Sequence, residues 1–483
     1  MNQPTRPPPP VNADIWTVAA IVMAIGLRVA MARGGLWLDE AWSSVMAHDA
    51  GGPLAVLSGI HHDNNHPLNS WWMQAVGQGA PPLVVRALAI GCSVATILPA
   101  ARVGARRGLW QGRAAAWLFA LSPMMVLLGS EARGYAPAML ALVVLIDRLD
   151  PARRDVPPSA LFLVLVGTLG TLGHLVMLPG IMLVAGWLWL ARRGWDDPRT
   201  SLPATLGAVR PALVASCGVV SVLFGWAWLV QGGMTIGHST AFEWTGYGAA
   251  LDEQVRLALG GDLLFPVAMA LLVVPPLARR DDAMLWLVLG LGMPLAVLLT
   301  HAGNSQISRY YWPSGLALLW LMAMRTGALA GRSTALRLLA VLLLGTTLTA
   351  MIETDGLLVR GARGEPDLPV RIAGAQHPGP SRILLGATRL SAVVTLAAKQ
   401  QGLPVSPVTN CAPADYLLYD LGDHPPPPTR PDCGLAWSLV DFREQPYLDG
   451  AGWALYRRAG LAPIGHVGLP AGGPVANGPR PAR

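Results

Sequence analysis

The stretch LVVRALAIGCSVATILPAARV, residues 83–103, is followed by Arg106, Arg107 and Arg113. A run of about 20 mostly apolar residues is long enough to cross the hydrocarbon core of a bilayer as a helix. Arg and Lys are enriched in the cytoplasmic loops of membrane proteins. Residues 83–103 are therefore predicted to form a transmembrane helix whose C-terminal end faces the cytoplasm.

Similar runs recur along the chain, which is 53% hydrophobic and only 13% charged. Soluble domains carry about 25% charged residues. Orienting the runs by their flanking Arg residues predicts a polytopic α-helical membrane protein with its N-terminus inside and its C-terminus outside. About eleven spans are expected, at Asp14–Met31, Leu83–Val103, Ala114–Leu128, Ala136–Ile146, Ala160–Leu172, Leu175–Leu190, Pro211–Val230, Leu257–Leu277, Ala283–Leu299, Pro313–Met324 and Leu338–Met351.

The segments outside these spans have their own character. Residues 1–13 are rich in proline and are expected to form a cytoplasmic tail, since they lack the basic segment and cleavage site of a signal peptide. Residues 34–82 are predicted to form the first periplasmic loop. Two amphipathic runs in this loop, Ala41–Leu57 and Pro67–Val76, are too short to span and are predicted as interfacial helices. The polar stretch Gln231–Arg256 is expected to be a loop.

The C-terminal part has a different composition. Residues 353–462 are predicted to form a small α/β domain outside the membrane, and the Gly- and Pro-rich tail at 463–483 is expected to be disordered. Cys411 and Cys433 lie in this domain, where a disulfide is allowed if the domain is periplasmic. The expected strands and helix are Ile383–Leu385, Tyr416–Tyr419 and Trp453–Arg457, with a helix at Ser391–Gln400.

The formal net charge of +7 raises the question of nucleic-acid binding. The Arg residues stand in short clusters between apolar runs, which is the pattern of cytoplasmic loops. Membrane lipids are therefore the expected partners, and nucleic acid is not.

Unusual polar groups collect in the loops that are predicted to face outward. Ionisable residues at the membrane edge are costly unless they are paired or hydrated, so their concentration on one side indicates a functional site. These groups are Asp39 and Glu40 after the first span, the cluster His61, His62, Asp63 and His66, the group Glu131, Arg133 and Tyr135, the single His174, and the group Arg309, Tyr310 and Tyr311.

The residue types suggest a chemistry. A carboxylate beside a nucleophilic hydroxyl or amine can act as a general base. The planar fork of Arg suits a phosphate, because it donates two hydrogen bonds at once. A phosphate leaving group gains negative charge that Arg133 or Arg309 can stabilise.

Structural alternatives remain open for each group. Asp39 and Glu40 can form a solvated loop pair or a helix cap, and Glu131 with Arg133 can form a structural ion pair. Histidines such as His174 are more often structural than catalytic.

Two further groups have alternatives of their own. Three His and one Asp within residues 61–66 are the ligand types of a zinc site, so a divalent metal stays open beside plain hydrogen bonding. Arg309 and the two tyrosines that follow it can belong to an interfacial aromatic belt. Arg309 nevertheless stands outside the pattern of cytoplasmic positive charge.

The order of these motifs resembles the GT-C superfamily of membrane glycosyltransferases, in particular the branch of protein O-mannosyltransferases and lipid A aminoarabinose transferases. The resemblance covers residues 14–352 and leaves the C-terminal domain unmatched. The motifs that carry it are Leu-Trp-Leu-Asp-Glu-Ala-Trp at 36–42, His66-Pro67-Leu68, Ser130-Glu131-Ala132-Arg133-Gly134-Tyr135, Gly173-His174 and Arg309-Tyr310-Tyr311-Trp312-Pro313.

The resemblance implies an inverting hexosyl or pentosyl transferase in the inner membrane of a bacterium. Its donor would be a polyprenyl-phosphate sugar, and its acceptor a lipid, a glycan or a protein. Asp39 matches the acidic residue of the family's first outward loop by position, as general base, and Glu40 is the adjacent acid. No cofactor is implied with certainty.

The resemblance also implies roles for the other outward residues. Arg133 and Arg309 would bind the donor phosphate, with Tyr310 beside them and Tyr135 in the same motif. Glu131 would line the cavity and His174 its rim. The family's His-Pro-Pro is His66-Pro67-Leu68 here, which weakens a specific role for His66.

Two other functions compete with sugar transfer. A transporter or flippase of a lipid-linked sugar would need alternating access, often visible as inverted repeats or broken helices, and the sequence shows neither. A non-catalytic assembly protein would use the C-terminal domain as a contact surface, which leaves the acid–Arg constellation without a role.

Overall fold

A computed structural model describes residues 14–153, 156–192, 196–236, 240–261, 267, 280–376, 379–421, 425–444 and 452–461. Contacts within the chain divide it into two compact units. The first unit comprises Met1–Ala30, Pro53–Trp72 and Arg86–Asp355, and the second comprises Met31–Gly52, Met73–Val85 and Gly356–Arg483. Parts of the predicted first periplasmic loop thus group with the C-terminal domain.

Helices make up most of the described chain. A π-helical turn occupies Trp286–Gly290, and a 3-10 turn occupies Ser308–Tyr311. The α-helices in chain order are α1 (Ile15–Met31), α2 (Leu38–Asp49), α3 (Pro53–Ser58), α4 (Pro67–Val76), α5 (Pro82–Ala95), α6 (Ile97–Ala105), α7 (Leu109–Leu121), α8 (Pro123–Gly129), α9 (Tyr135–Leu149), α10 (Ala160–Gly173), α11 (Met177–Ala191), α12 (Pro198–Gln231), α13 (Trp244–Leu259), α14 (Arg280–Leu285), α15 (Leu291–Thr300), α16 (Trp312–Ala330), α17 (Thr334–Gly361), α18 (Leu368–Gln376) and α19 (Ser391–Gln401).

The apolar helices agree with a protein that is integral to a membrane. Within the described residues, four helical stretches are long and apolar enough to cross a bilayer: Pro82–Ala105, Pro198–Gln231, Asp282–Thr300 and Thr334–Gly364. A fifth is formed if α7 and α8, which are bent by 51° at Ser122, count as one span. Shorter apolar helices occupy Ile15–Met31, Ala160–Gly173 and Met177–Ala191. The total of eleven spans stays a prediction, since Leu257–Leu277 lies largely outside the described residues.

Two local predictions were wrong. The run Ala41–Leu57 is not one helix, because the chain turns at Gly51, whose φ of +80° is a left-handed conformation that favours glycine. The stretch predicted as a polar loop before Arg256 contains α13. Its buried face, with Ala250 and Leu257, alternates with polar residues, so run length alone misses it.

Charged side chains join the helix ends that were predicted to face the cytoplasm. Arg106, just after α6, contacts Asp147 at 2.5 Å and Asp150 at 3.0 Å. Arg107 contacts Asp150 and, at 2.7 Å, Asp282 near the start of the Asp282–Thr300 stretch. The ends of α6 and α9 and the beginning of that stretch therefore meet, as the predicted orientation of the spans requires.

The described part of the second unit contains a six-stranded mixed sheet with the strand order β2-β1-β3-β6-β5-β4. Strands β1, β2 and β3 are parallel, whereas β3, β6, β5 and β4 pair antiparallel. The strands are β1 (Ser381–Leu385), β2 (Val405–Val408), β3 (Tyr416–Leu421), β4 (Thr429–Asp432), β5 (Leu435–Arg443) and β6 (Gly452–Arg458).

The predicted α/β character is confirmed, and three strands were missed. Pro407 lies in β2 and Pro431 in β4, and both strands are at sheet edges, where a residue without an N–H is tolerated. One face of the sheet packs in a core with α18 and α19 that includes Val394 and Trp453. Cys411 and Cys433 form a disulfide with a Cα–Cα distance of 6.2 Å. The tails at 1–13 and 463–483 lie outside the described residues.

Candidate functional site

Four separate segments of the first unit bring their side chains into one cluster, which we call the His–Arg cluster. Its members are His66, Arg133, Tyr135, His174 and Tyr310. The segments are the end of the loop before α4, the loop between α8 and α9, the turn between α10 and α11, and the 3-10 turn before α16. All five residues were singled out in the sequence, and the structure brings them together.

Aromatic rings form the body of the cluster. The rings of His66 and His174 are stacked with centroids 5.0 Å apart, and Tyr135 stacks on His174 at 4.4 Å. Tyr310 lies against His174 at 6.0 Å. His66, Tyr135 and His174 are buried. A packed arrangement of this kind holds its polar atoms in fixed directions, which favours a preorganised binding site.

Arg133 is the cation of the cluster. Its Nη2 donates to Asn64 Oδ1 at 2.8 Å and lies 3.4 Å from His66 Nε2. Its Cζ lies 5.2 Å from the centre of the Tyr135 ring. The guanidinium is thus positioned by contacts that include an amide oxygen and two rings, and its fork geometry suits an anion.

The contacts determine which ring nitrogen of each histidine carries hydrogen. Arg133 can only donate, so His66 Nε2 accepts and the other nitrogen is left to donate to the Gly173 backbone. The backbone N–H of Val176 donates to His174 Nδ1 at 3.1 Å. Neutral His174 therefore carries its hydrogen on Nε2, where it can donate to an incoming oxygen.

Both histidines are neutral near pH 7. Burial, together with the positive charges of Arg133 and Arg309, lowers the pKa of His174 from its usual 6.5 to about 3. Burial, His174 and Arg133 lower the pKa of His66 well below its usual value. The cluster therefore combines the charge of Arg133 with two neutral imidazole rings, and the charge of Arg309 acts on both rings.

This burial predicts a pH dependence of stability. Between pH 6.5 and about 3 the unfolded chain takes up a proton on His174 that the folded chain does not, so the free energy of unfolding falls as the pH falls through this window. One such group contributes at most about 1.4 kcal/mol per pH unit. Thermal unfolding at pH 7 and pH 5 should show a smaller loss for His174→Asn than for the wild type. Equal losses would show that His174 is protonated in the folded protein.

Two glycines let the segments approach each other. A Cβ on Gly134 would overlap the carbonyl oxygen of Gly173 and would lie 3.0 Å from His66 Cβ. The backbone of the Arg133 loop therefore rests directly on the turn that carries His174. Any side chain at position 134 would push these two segments apart.

We expect Gly134→Ala to destabilise the protein by about 1–3 kcal/mol, because overpacking forces the backbone to shift. Gly218→Ala in α12 is the matched control, because nothing lies within 4 Å of its added Cβ. Thermal unfolding of the two variants measures the difference. Identical melting temperatures would contradict the close approach of the two segments.

Three further residues from the loops predicted to face outward act on the cluster through their charges. Arg309 and Tyr310 share the 3-10 turn, and the charge of Arg309 acts on both His66 and His174. Glu131 is buried and acts electrostatically on Tyr135. Asp63 acts on His174 in the same manner.

The histidine-rich loop does not form a metal site in the described residues, where no three His, Cys, Asp or Glu side chains are placed to hold an ion. His62 Nδ1 lies 2.9 Å from Asp63 Oδ1 and accepts the Asn64 N–H at 3.0 Å. The His61 carbonyl accepts the Thr235 N–H at 2.7 Å. Only His66 of the three histidines belongs to the His–Arg cluster.

Asp39 and Glu40 belong to the second unit, in the first turn of α2. Glu40 is fully buried, and its Oε2 accepts the Trp37 N–H at 3.1 Å. Glu40 therefore makes the helix-capping contact that the sequence left open. Asp39 is partly exposed and is the better placed of the two acids to meet a substrate.

Comparison with known proteins gives the fold. No protein-family model and no curated protein sequence matches the chain. The crystal structure of ArnT from Cupriavidus metallidurans in the apo state superposes with a TM-score of 0.53 at 13% identity, covering 91% of this chain and 97% of ArnT. ArnT belongs to the GT-C superfamily. The chain has a GT-C fold.

The match extends over nearly the whole of both chains, so the C-terminal domain is included in the GT-C likeness. The archaeal oligosaccharyltransferase AglB from Archaeoglobus fulgidus, in complex with an inhibitory peptide and a dolichol-phosphate, gives a TM-score of 0.46 at 12% identity over 84% of this chain and 69% of AglB. The resemblance drawn from the loop motifs is confirmed by the ArnT match as a matter of fold.

Two asparagines that were not among the candidate site residues hydrogen-bond to the loop that carries Arg133. Asn64 accepts the hydrogen bond of Arg133, and Asn69 Nδ2 donates to the Ala132 carbonyl at 2.5 Å. Asn64 lies in the polar stretch 61–67, so this stretch could have indicated it as a candidate. The close approach of Gly134 to Gly173 could not be predicted from the neighbouring sequence, because it depends on a segment that is distant along the chain.

Proposed function

We propose that this protein is an inverting glycosyltransferase that moves a sugar from a polyprenyl-phosphate donor to an acceptor at the periplasmic face of the membrane. The observation that carries the proposal is the His–Arg cluster. It places Arg133 beside two neutral histidines, on which the charge of Arg309 also acts, at the ends of apolar helices. A lipid-linked phosphate is both apolar and anionic, and this combination suits it.

The donor phosphate is proposed to bind at Arg133 and Arg309. The Arg133 guanidinium presents a fixed fork, and His174 adds an N–H on Nε2. These donors stabilise the charge that grows on the phosphate as the sugar departs, and buried donors of this kind are more effective than those in water. Tyr310 and Tyr135 pack around His174 and hold its ring in place.

Asp39 is proposed as the general base. It takes the proton from the acceptor hydroxyl or amine while that group attacks the anomeric carbon of the sugar. A bond from the acceptor to the anomeric carbon forms, the bond from that carbon to the phosphate oxygen breaks, and polyprenyl phosphate leaves with the electron pair. Attack opposite to the leaving group inverts the anomeric configuration.

The exposed helix surfaces support the membrane location that a lipid donor requires. The described helices expose many large apolar side chains, among them Val214 and Val222 on α12, as expected of surfaces in contact with lipid. A lipid, a glycan or a protein can serve as the acceptor. A bacterial inner membrane location, with the C-terminal domain periplasmic, is part of the same proposal.

The test uses the full-length protein in liposomes with a synthetic polyprenyl-phosphate sugar and candidate acceptors. Sugar transfer is expected to give a mass increase on the acceptor and a matching amount of free polyprenyl phosphate. A flippase would move the intact labelled donor across the bilayer and release no polyprenyl phosphate. That second result would overturn the proposal.

A further inference from the structure

The segment before Asp39 is tied to the C-terminal domain by a hydrogen bond across 332 residues of sequence. The backbone N–H of Gly35 donates to Asp367 Oδ1 at 3.0 Å. Gly35 lies four residues before Asp39, and Asp367 immediately precedes α18. Both residues belong to the second unit.

Asp367 is itself held in a fixed orientation. Its Oδ2 accepts Gln401 Nε2 at 3.0 Å and pairs with Arg371 Nε at 3.2 Å. The residue is buried, with 8% of its surface exposed. Because Oδ2 is bound to these two groups, the carboxylate has a fixed orientation in which Oδ1 faces the Gly35 N–H.

Gly35 fits against this carboxylate only because it has no side chain. A Cβ at position 35 would lie 2.5 Å from Asp367 Cβ and 2.9 Å from its Cγ. Real side chains do not pack so closely, so any other residue would displace the segment. Asp367 accepts the hydrogen bond, and Gly35 can approach it closely because it has no side chain.

The other side of Asp39 is anchored as well. Trp42 Nε1 donates to the Arg389 carbonyl at 2.8 Å, and α2 packs against α19. Gln74 Nε2 donates to the Ala47 carbonyl at 2.6 Å near the end of α2. Asp39 therefore lies between two anchors on the same folded domain.

We propose that Asp367 is a positioning residue for the reaction, which holds the segment Gly35–Glu40 so that Asp39 meets the acceptor in a productive geometry. The inference rests on the proposed function. It gives the C-terminal domain, which the motif resemblance left unmatched, a direct part in transfer. A displacement of about 1 Å in a catalytic group can cost on the order of 100-fold in rate.

The test compares Asp367→Ala with Asp367→Asn in the full-length protein. The alanine variant should lower kcat by about 10- to 100-fold with little change in KM for the donor, because the donor site is intact. Asparagine keeps an oxygen that can accept the Gly35 N–H and should restore most of kcat. Asp415→Ala is the matched control, since Asp415 accepts the Arg382 N–H at 2.9 Å in the same domain and does not contact the segment.

Amide hydrogen exchange separates positioning from general stability. In Asp367→Ala the amides of Gly35–Glu40 should exchange faster, while those of β3 and β6 stay protected. If neither exchange in the segment nor kcat changes, the proposal is wrong. If the sheet also loses protection in Asp367→Ala, Gly35→Ala is measured in its place. A reduced kcat in Gly35→Ala with a protected sheet supports positioning, and a wild-type kcat in that variant overturns the proposal.

Asp39→Asn, measured in parallel, keeps the two proposals distinguishable. If that variant remains active, the assignment of the base fails, and Asp367 is then judged by exchange alone. Faster exchange at Gly35–Glu40 in Asp367→Ala would still show that it holds the segment. Unchanged exchange would contradict the inference whatever the function.

Discussion

Asp39→Asn is expected to lower kcat for sugar transfer by about 100- to 10,000-fold, the usual contribution of a positioned general base. Asparagine has nearly the same shape as aspartate, so α2 should keep its packing. It cannot take a proton from the acceptor, and the attacking oxygen or nitrogen then remains a poor nucleophile. Donor binding should change little, because the groups assigned to the phosphate are on other segments.

The measurement is the initial rate of product formation at saturating donor and acceptor. Asp49→Asn is the matched control, because Asp49 is the exposed last residue of the same helix. It should retain wild-type rates. Thermal unfolding of both variants verifies that the fold is intact. If Asp39→Asn remains fully active while Asp49→Asn behaves normally, another group serves as the base.

Arg133→Lys is expected to lower kcat/KM by about 100- to 1000-fold, which is the cost of losing a preorganised donor to a developing negative charge. Lysine keeps the charge but loses the planar fork, and it cannot reproduce the contact to Asn64 together with the contact to His66. The position of the guanidinium, rather than its charge alone, is thus what the variant tests.

The control is Arg256→Lys. Arg256 pairs with Asp252 at 2.5 Å on α13, at a site that is partly exposed and has little effect on stability. Its rates should stay close to those of the wild type, because a solvent-accessible ion pair contributes only about 0–1 kcal/mol to stability. Binding of a polyprenyl phosphate without sugar, measured by calorimetry in detergent, should weaken for Arg133→Lys alone. Equal binding in both variants would place the phosphate elsewhere.

The apolar helices and the α/β nature of the C-terminal domain could be predicted because they depend on local properties. Run length and the placement of Arg clusters identify a membrane helix without knowledge of its neighbours. The bounds Pro67–Val76 agree with α4 for the same reason. The predictions fail where local sequence properties do not decide the structure. Helix α13 is only half apolar, and the edge strands β2 and β4 contain prolines.

The site shows the same division. The sequence by itself predicted a polytopic membrane protein, and it singled out His66, Arg133, His174 and Arg309 as candidate site residues in the loops predicted to face outward. Only the tertiary structure decided that His66 stacks on His174, that Gly134 rests on Gly173, and that the Gly35 N–H donates to Asp367. The physical reason is that hydropathy and charge belong to each residue, whereas stacking and hydrogen bonds depend on which distant segments helix packing brings within a few ångströms.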